Sequence, residues 1–263
     1  MRTMLHPSFL EIPLAHRALH DVSDGRPENS RAAIRAAIAH GYGIEIDLQL
    51  SADNQAMVFH DYALDRLTEA SGTVQTRDAA DLAAIPLKGG REGVPALPEV
   101  LELIGGQVPL LIEFKDQDGA MGPNVGALEE AAAEVLRSYA GPAAVMSFNP
   151  HSVARLATLL PDMPRGIVTC DYAEGDWPFG ASVRDHLREI PDYDRVGASF
   201  ISHQHSDLDR PRVAALKAQG AHVLCWTIRS EREAAEALQV AENVTFEGYL
   251  PGAPVEAADT HPR

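Results

Sequence analysis

A (β/α)8 barrel is the fold class this sequence predicts, and three observations predict it. Short runs rich in β-branched residues alternate with Ala-rich segments of helical period along most of the chain, about eight times over. Repeated β-then-α units imply a parallel sheet with covered strands. The length, 263 residues, suits the roughly 250 that such a barrel needs, and no G-x-G-x-x-G follows the first strand to support a doubly wound open sheet instead.

The elements follow in order. Strands are predicted at 12–16, 43–50, 56–60, 109–115, 143–148, 166–170, 195–201, 221–228 and 243–249. Helices are predicted at 29–40, 97–104, 125–139, 150–160, 182–189, 210–219 and 231–240. Gly41 punctuates the end of the first helix, Gly220 the end of the sixth, and Asn149-Pro150 opens the fourth. One stretch breaks the alternation. From Asp61 to Pro98 the chain is loop-like and Gly/Pro-punctuated around one short helical segment, DAADLAAI. It is expected to be an insertion on the functional face of a single domain covering residues 1–263, with the polar tail 252–263 disordered.

Composition narrows the function. A formal net charge of -16 with no basic run argues against nucleic acid as a partner, because affinity for a polyanion comes from clustered Lys and Arg. An anionic substrate would need local attraction from a metal or a few placed cations. No apolar run approaches the roughly 20 residues of a membrane span, and the first residues contain no uninterrupted apolar h-region, so a cytoplasmic protein is expected. Cys170 and Cys225 sit in separate apolar runs without metal-site spacing and are expected to be buried thiols.

The segment GIEIDLQL places Glu45, Asp47 and Gln49 on one strand face and Ile44, Ile46, Leu48 and Leu50 on the other. In a barrel the apolar set packs against helices, which sends the acids inward. Buried carboxylates cost several kcal/mol each unless something positive compensates them. PLLIEFK repeats the pattern, with Glu113 and Lys115 on one face. Three oxygen ligands from Glu45, Asp47 and Glu113 suit a hard divalent ion, although a half-exposed antiparallel strand would simply solvate such acids. His16 and His60 stand at strand ends, where a pair of imidazoles can serve as base and acid; a lone strand-end His is more often structural. Arg17 can grip a phosphate bidentately and Lys115 can add a point charge, or each can pair with a neighbouring acid.

Taken in order, His16-Arg17, RPENS opening a helix, EID after Gly43, SADNQAMVFHD followed by LDRLTEASGTV, then LIEFK, VMSF and HVLCWTI resemble the glycerophosphodiester phosphodiesterase family. The resemblance runs from about Leu14 to Pro251 and is most specific in the first hundred residues. It implies a TIM barrel with a small insertion after the second strand. It also implies Mg2+ or Ca2+ bound by Glu45, Asp47 and Glu113, His16 and His60 as the acid/base pair, and Arg17 and Lys115 on the phosphate. Trp226 matches a family Trp, and either lines the alcohol or glycerol pocket or fills the barrel. Glu28 and Asn29 match a Pro-Glu-Asn element, in which Asn29 also fits a helix N-cap.

The implied reaction is metal-dependent hydrolysis of a glycerophosphodiester, a small-molecule substrate, to sn-glycerol 3-phosphate and an alcohol. His16 is assigned as base and His60 as acid, with the reverse assignment equally compatible with the sequence, and the nucleophile is a water or the substrate's own glycerol hydroxyl. Rival readings are a barrel phosphodiesterase acting on lysophospholipid or another lipid-like diester, a glycosidase, which needs neither two histidines nor a metal, and a non-catalytic binding barrel. Two departures stand out. SADNQ replaces the family's Thr-x-Asp-Gly turn, where Asn54 can take the positive φ of a glycine. TFEGYLP replaces I-x-T-D-x-P, which puts Glu247 where the family carries Asp. SHQHSD, residues 202–207, is expected to be a loop.

Overall fold

Nine strands form one closed sheet in the computed structural model, which describes residues 2–252. They are β1 (Leu14–Ala15), β2 (Gly43–Leu50), β3 (Ala56–Val58), β4 (Leu110–Phe114), β5 (Ala143–Ser147), β6 (Arg165–Thr169), β7 (Phe200–Gln204), β8 (His222–Ile228) and β9 (Asn243–Phe246). All neighbours in the ring pair in parallel, and β1 closes it by pairing with β2 on one side and β9 on the other. The exception is β3, which turns back antiparallel along the end of β2. Removing it from the nine leaves the eight parallel strands of the barrel.

The helices are α1 (Ser8–Glu11), α2 (Arg31–Ala39), α3 (Ala79–Ala84), α4 (Leu97–Ile104), α5 (Ala127–Leu136), α6 (Pro150–Leu159), α7 (Ala181–Arg188), α8 (Pro211–Ala218) and α9 (Glu231–Ala237). None among the described residues is long and apolar enough to cross a membrane. The main core lies between the helices and the outward strand residues, such as Ile44, Ile46, Ile112 and Ile201. A second core fills the barrel with Leu14, Leu111, Met146, Val168, Phe200 and Leu224, and Phe9 of α1 joins it from below. Asn243, at the start of β9, holds that plug by donating to the carbonyls of Phe9 and Ile12.

Packing inside the barrel depends on missing side chains. A Cβ at Gly166 would meet the Phe200 ring at 2.3 Å, and one at Gly43 would meet Leu14 Cδ2 at 2.5 Å. Two glycines thus make room for two large neighbours inside the barrel. The inserted segment between β3 and α4 has a small core of its own, in which Phe59, Leu64, Val74, Leu82 and Leu87 bury together. Asn54 takes φ 59°, as its place in the SADNQ turn requires.

Two expectations need correction. The strand predicted at 195–201 lies at Phe200–Gln204 instead, so part of SHQHSD is strand rather than loop. Val196 and Ala198 are apolar because they bury in the core from a turn containing Gly197 at φ 64°, and burial alone imitates a strand run. The N-cap of α2 is Ser30, whose hydroxyl accepts from the Ala33 amide, and not Asn29. Of the tail expected to be disordered, residues 253–263 lie outside the described residues. Cys170 and Cys225 are free, buried thiols, and burial pushes each up to about 12.

Candidate active site

The C-terminal ends of the strands surround a cavity of about 230 Å3, where barrel sites form. Its lining includes His16, Arg17, Glu45, Asp47, His60, Glu113, Lys115 and Trp226, the eight residues given a metal, acid/base, phosphate or pocket role from the sequence. Each arrives for a local reason. The period-two alternation of β2 turns Glu45 and Asp47 inward, and the β2–β4 register sets Asp47 beside Glu113. Both Arg17 and Ala18 adopt positive φ, 52° and 64°, which bends the chain sharply after β1. The bend aims the Arg17 amide at Glu45 Oε2, 2.9 Å away.

Glu45, Asp47 and Glu113 are 2%, 1% and 7% exposed, and one carboxylate oxygen from each lies within 4.8 Å of the others. So much negative charge out of water shifts the protonation of Glu45 and Asp47. Burial, then the charges of Asp47 and Glu113, push the Glu45 carboxyl well above the usual carboxylate range. Burial pulls Asp47 the same way, but Lys115, His60 and Arg17 outweigh it and hold Asp47 low. The Lys115 ammonium lies 2.7 Å from Asp47 Oδ1 and 2.5 Å from Glu113 Oε1. Asn29, buried and at φ 58°, donates from Nδ2 to Asp47 Oδ2 at 2.9 Å, so its conformation serves the acids. An all-oxygen donor set with one carboxyl short of compensating charge fits a hard divalent cation.

Both histidines are held by carboxylates. His16 Nδ1 is 2.6 Å from Glu247 Oε2, and His60 Nδ1 is 2.6 Å from Asp61 Oδ1. Burial lowers His16 from the ordinary imidazole value, against an upward pull from Glu247. The bond to His16 in turn holds Glu247 far below its usual range.

A chain of ion pairs joins the His60 side to the Arg17 side. Arg66, from the insertion, grips Asp61 with Nε and Nη2 at 2.6 and 2.8 Å, and Glu28 with Nη1 and Nη2 at 2.8 and 2.9 Å. Glu28 then accepts from Arg17 Nη1 at 2.8 Å. Sequence reasoning missed Asp61 and Arg66 as parts of the site, although each lies in a quoted motif, and it noted Glu247 only as a departure. Trp226 faces the cavity from β8. It lines the cavity, packs edge-on against Phe148 at 5.6 Å, and donates its indole N–H to the Ser202 carbonyl.

Comparison with known proteins gives one family. A sequence model of the glycerophosphoryl diester phosphodiesterase family matches residues 16–244. A glycerophosphodiester phosphodiesterase of Bacillus subtilis is 27% identical over 224 residues, which span 78% of this chain and 73% of that protein. Among solved structures, an Oleispira antarctica phosphodiesterase in complex with the product sn-glycerol-3-phosphate superposes with a TM-score of 0.75 at 25% identity, covering 91% of this chain and 94% of that one. A glycerophosphodiester phosphodiesterase from Thermotoga maritima shares the fold with a TM-score of 0.65 at 18% identity, covering 89% and 94%.

Proposed function

Because the chain belongs to the glycerophosphoryl diester phosphodiesterase family, whose match spans most of its length, we propose that it hydrolyses glycerophosphodiesters to sn-glycerol 3-phosphate and an alcohol. One observation carries this reading: three buried carboxylates, two carboxylate-held histidines and two cations line one cavity. The O. antarctica relative, whose structure is in complex with the product sn-glycerol-3-phosphate, supports this product. A single barrel domain bearing the 61–98 insertion does the work.

In this reading Glu45, Asp47 and Glu113 hold Mg2+ or Ca2+. When bound, such an ion neutralises phosphate oxygens and lowers the pKa of a bound hydroxyl or water. The Arg17 guanidinium and the Lys115 ammonium supply the remaining positive charge for the diester, which offsets the acidity of the protein locally. With Nδ1 of each imidazole committed to a carboxylate, Nε2 is the atom left to move protons. His16 accepts the proton of the attacking hydroxyl and His60 gives one to the departing alkoxide. Trp226 and Phe148 supply an apolar wall for the organic part of the substrate.

A short polar alcohol fits better than a lipid chain. The insertion turns its apolar side chains into its own core, and Tyr62 is the single large apolar residue within it that is markedly exposed among the described residues. The test is release of glycerol 3-phosphate from a panel of glycerophosphodiesters and a lysophospholipid, with EDTA and with added Mg2+ or Ca2+. Full activity after exhaustive chelation would sink the metal-dependent reading, and preference for the lysophospholipid would sink the short-alcohol one.

A further inference from the structure

His20 is not needed by this chemistry, does not line the cavity, and yet turns its ring into the site's edge. The left-handed pair Arg17 and Ala18 reverses the chain after β1, and the His20 amide donates to the Ala18 carbonyl at 2.9 Å. Its Nε2 is buried, has no hydrogen-bond partner, and lies 3.5 Å from Glu247 Oε2. That is the same oxygen that His16 Nδ1 approaches at 2.6 Å. Arg229 Nη2 holds the other oxygen, Oε1, at 2.6 Å and so leaves Oε2 to the two imidazoles. One ligand atom from each of His16, His20 and Glu247 lies within 4.8 Å of the others, and all three residues are partly open to solvent.

We propose that His16, His20 and Glu247 form a second cation site, suited to a transition-metal ion of the zinc type. Two imidazoles and one carboxylate are a donor set that favours zinc, whereas the all-oxygen set of Glu45, Asp47 and Glu113 favours magnesium or calcium. Tetrahedral zinc with bonds near 2.1 Å places its ligand atoms about 3.4 Å apart. The His20–Glu247 separation already has that size, and the His16–Glu247 contact has to open by less than about 1 Å. A neutral imidazole has one free lone pair. With that pair on Nδ1 given to the ion, Nε2 of His16 keeps its hydrogen and accepts no proton. Occupancy therefore inhibits hydrolysis, a consequence that rests on the base role proposed for His16.

The experiment is titration of ZnCl2 into protein saturated with Mg2+ or Ca2+, followed by calorimetry and by activity. Wild-type protein is expected to bind one additional equivalent and to lose activity as it does. His20→Ala is expected to keep basal activity and its melting temperature while the zinc Kd and the half-inhibitory concentration rise at least tenfold. Glu45→Gln is expected to keep the zinc equivalent. Equal zinc affinity in wild type and His20→Ala overturns the site, as does loss of the equivalent in Glu45→Gln alone, which would mean that zinc merely enters the acidic set. Zinc bound through His20 without inhibition upholds the site and overturns the base role of His16.

Discussion

Glu247 holds His16 across the seam where the barrel closes, with the carboxylate from the chain just after β9 and the imidazole from the chain just after β1, 2.6 Å apart. In the proposed mechanism its acceptor keeps the hydrogen on Nδ1 and leaves Nε2 free as the base. Glu247→Gln is expected to lower kcat by roughly tenfold to a hundredfold, the usual loss when a residue that orients a site ligand is replaced. Glu247→Asp, one methylene shorter, should recover part of it. Kinetics that leave Glu247→Gln at the wild-type rate would remove this residue from the mechanism.

The pH profile carries the same relationship. A general base works in its neutral form, and burial lowers the His16 pKa, so the acid limb of kcat/KM should lie below about 6.5, the ordinary imidazole value. Glu247 pulls that pKa upward, because a carboxylate favours imidazolium. Its neutralisation in Glu247→Gln should therefore move the acid limb to still lower pH. Movement to higher pH would contradict the assignment.

Loss of either imidazole should be severe. His16→Ala and His60→Ala are each expected to lose roughly a hundredfold to ten-thousandfold in kcat, the range that positioned proton transfer supplies. Near-wild-type rates in both would mean that the proton transfers belong to other groups.

Arg66 touches neither the cavity nor, by geometry, a substrate in it, yet it fixes Asp61 and Glu28, which fix His60 and Arg17. Arg66→Ala should lower kcat through His60 and raise KM through Arg17 together. Arg66→Lys should not rescue it, because an ammonium cannot span two carboxylates as a planar fork does. An effect on thermal stability alone would reduce Arg66 to a surface ion pair.

Inside the barrel, Gly166→Ala should cost about 1–3 kcal/mol of stability, the range for overpacking a filled core. In denaturant melts, pairing it with Phe200→Leu should recover much of the loss, since the two residues share one contact. Additive losses would mean that the close approach of Phe200 is not the cause.

Much of the barrel was legible because its strands carry their instructions in period two. Gly43–Leu50 shows this best, with every polar residue on one side and a matching acid at Glu113. The strand at Phe200–Gln204 was misplaced because Val196 and Ala198 bury without being strand. The eight site residues read from motifs all line the cavity. The groups that hold them were harder to see. Glu28, Asp61 and Arg66 meet through loops, where no periodicity records which charge will face which, and Glu247 meets His16 across 231 residues. Asn29 in a helix-opening motif looks like a cap until Ser30 takes that task and frees it for Asp47.

The two-residue strand β1 is the last clasp of the ring, bonded to β2 on one edge and to β9 on the other. A chain that stops short of β9 lacks the backbone partner of that edge and the carboxylate that steadies His16. In the proposed mechanism such a fragment, whether an unfinished translation product or a clipped one, is expected to be catalytically silent even with all three acids and both histidines present. Turnover by the proposed mechanism therefore requires a chain long enough to close the ring.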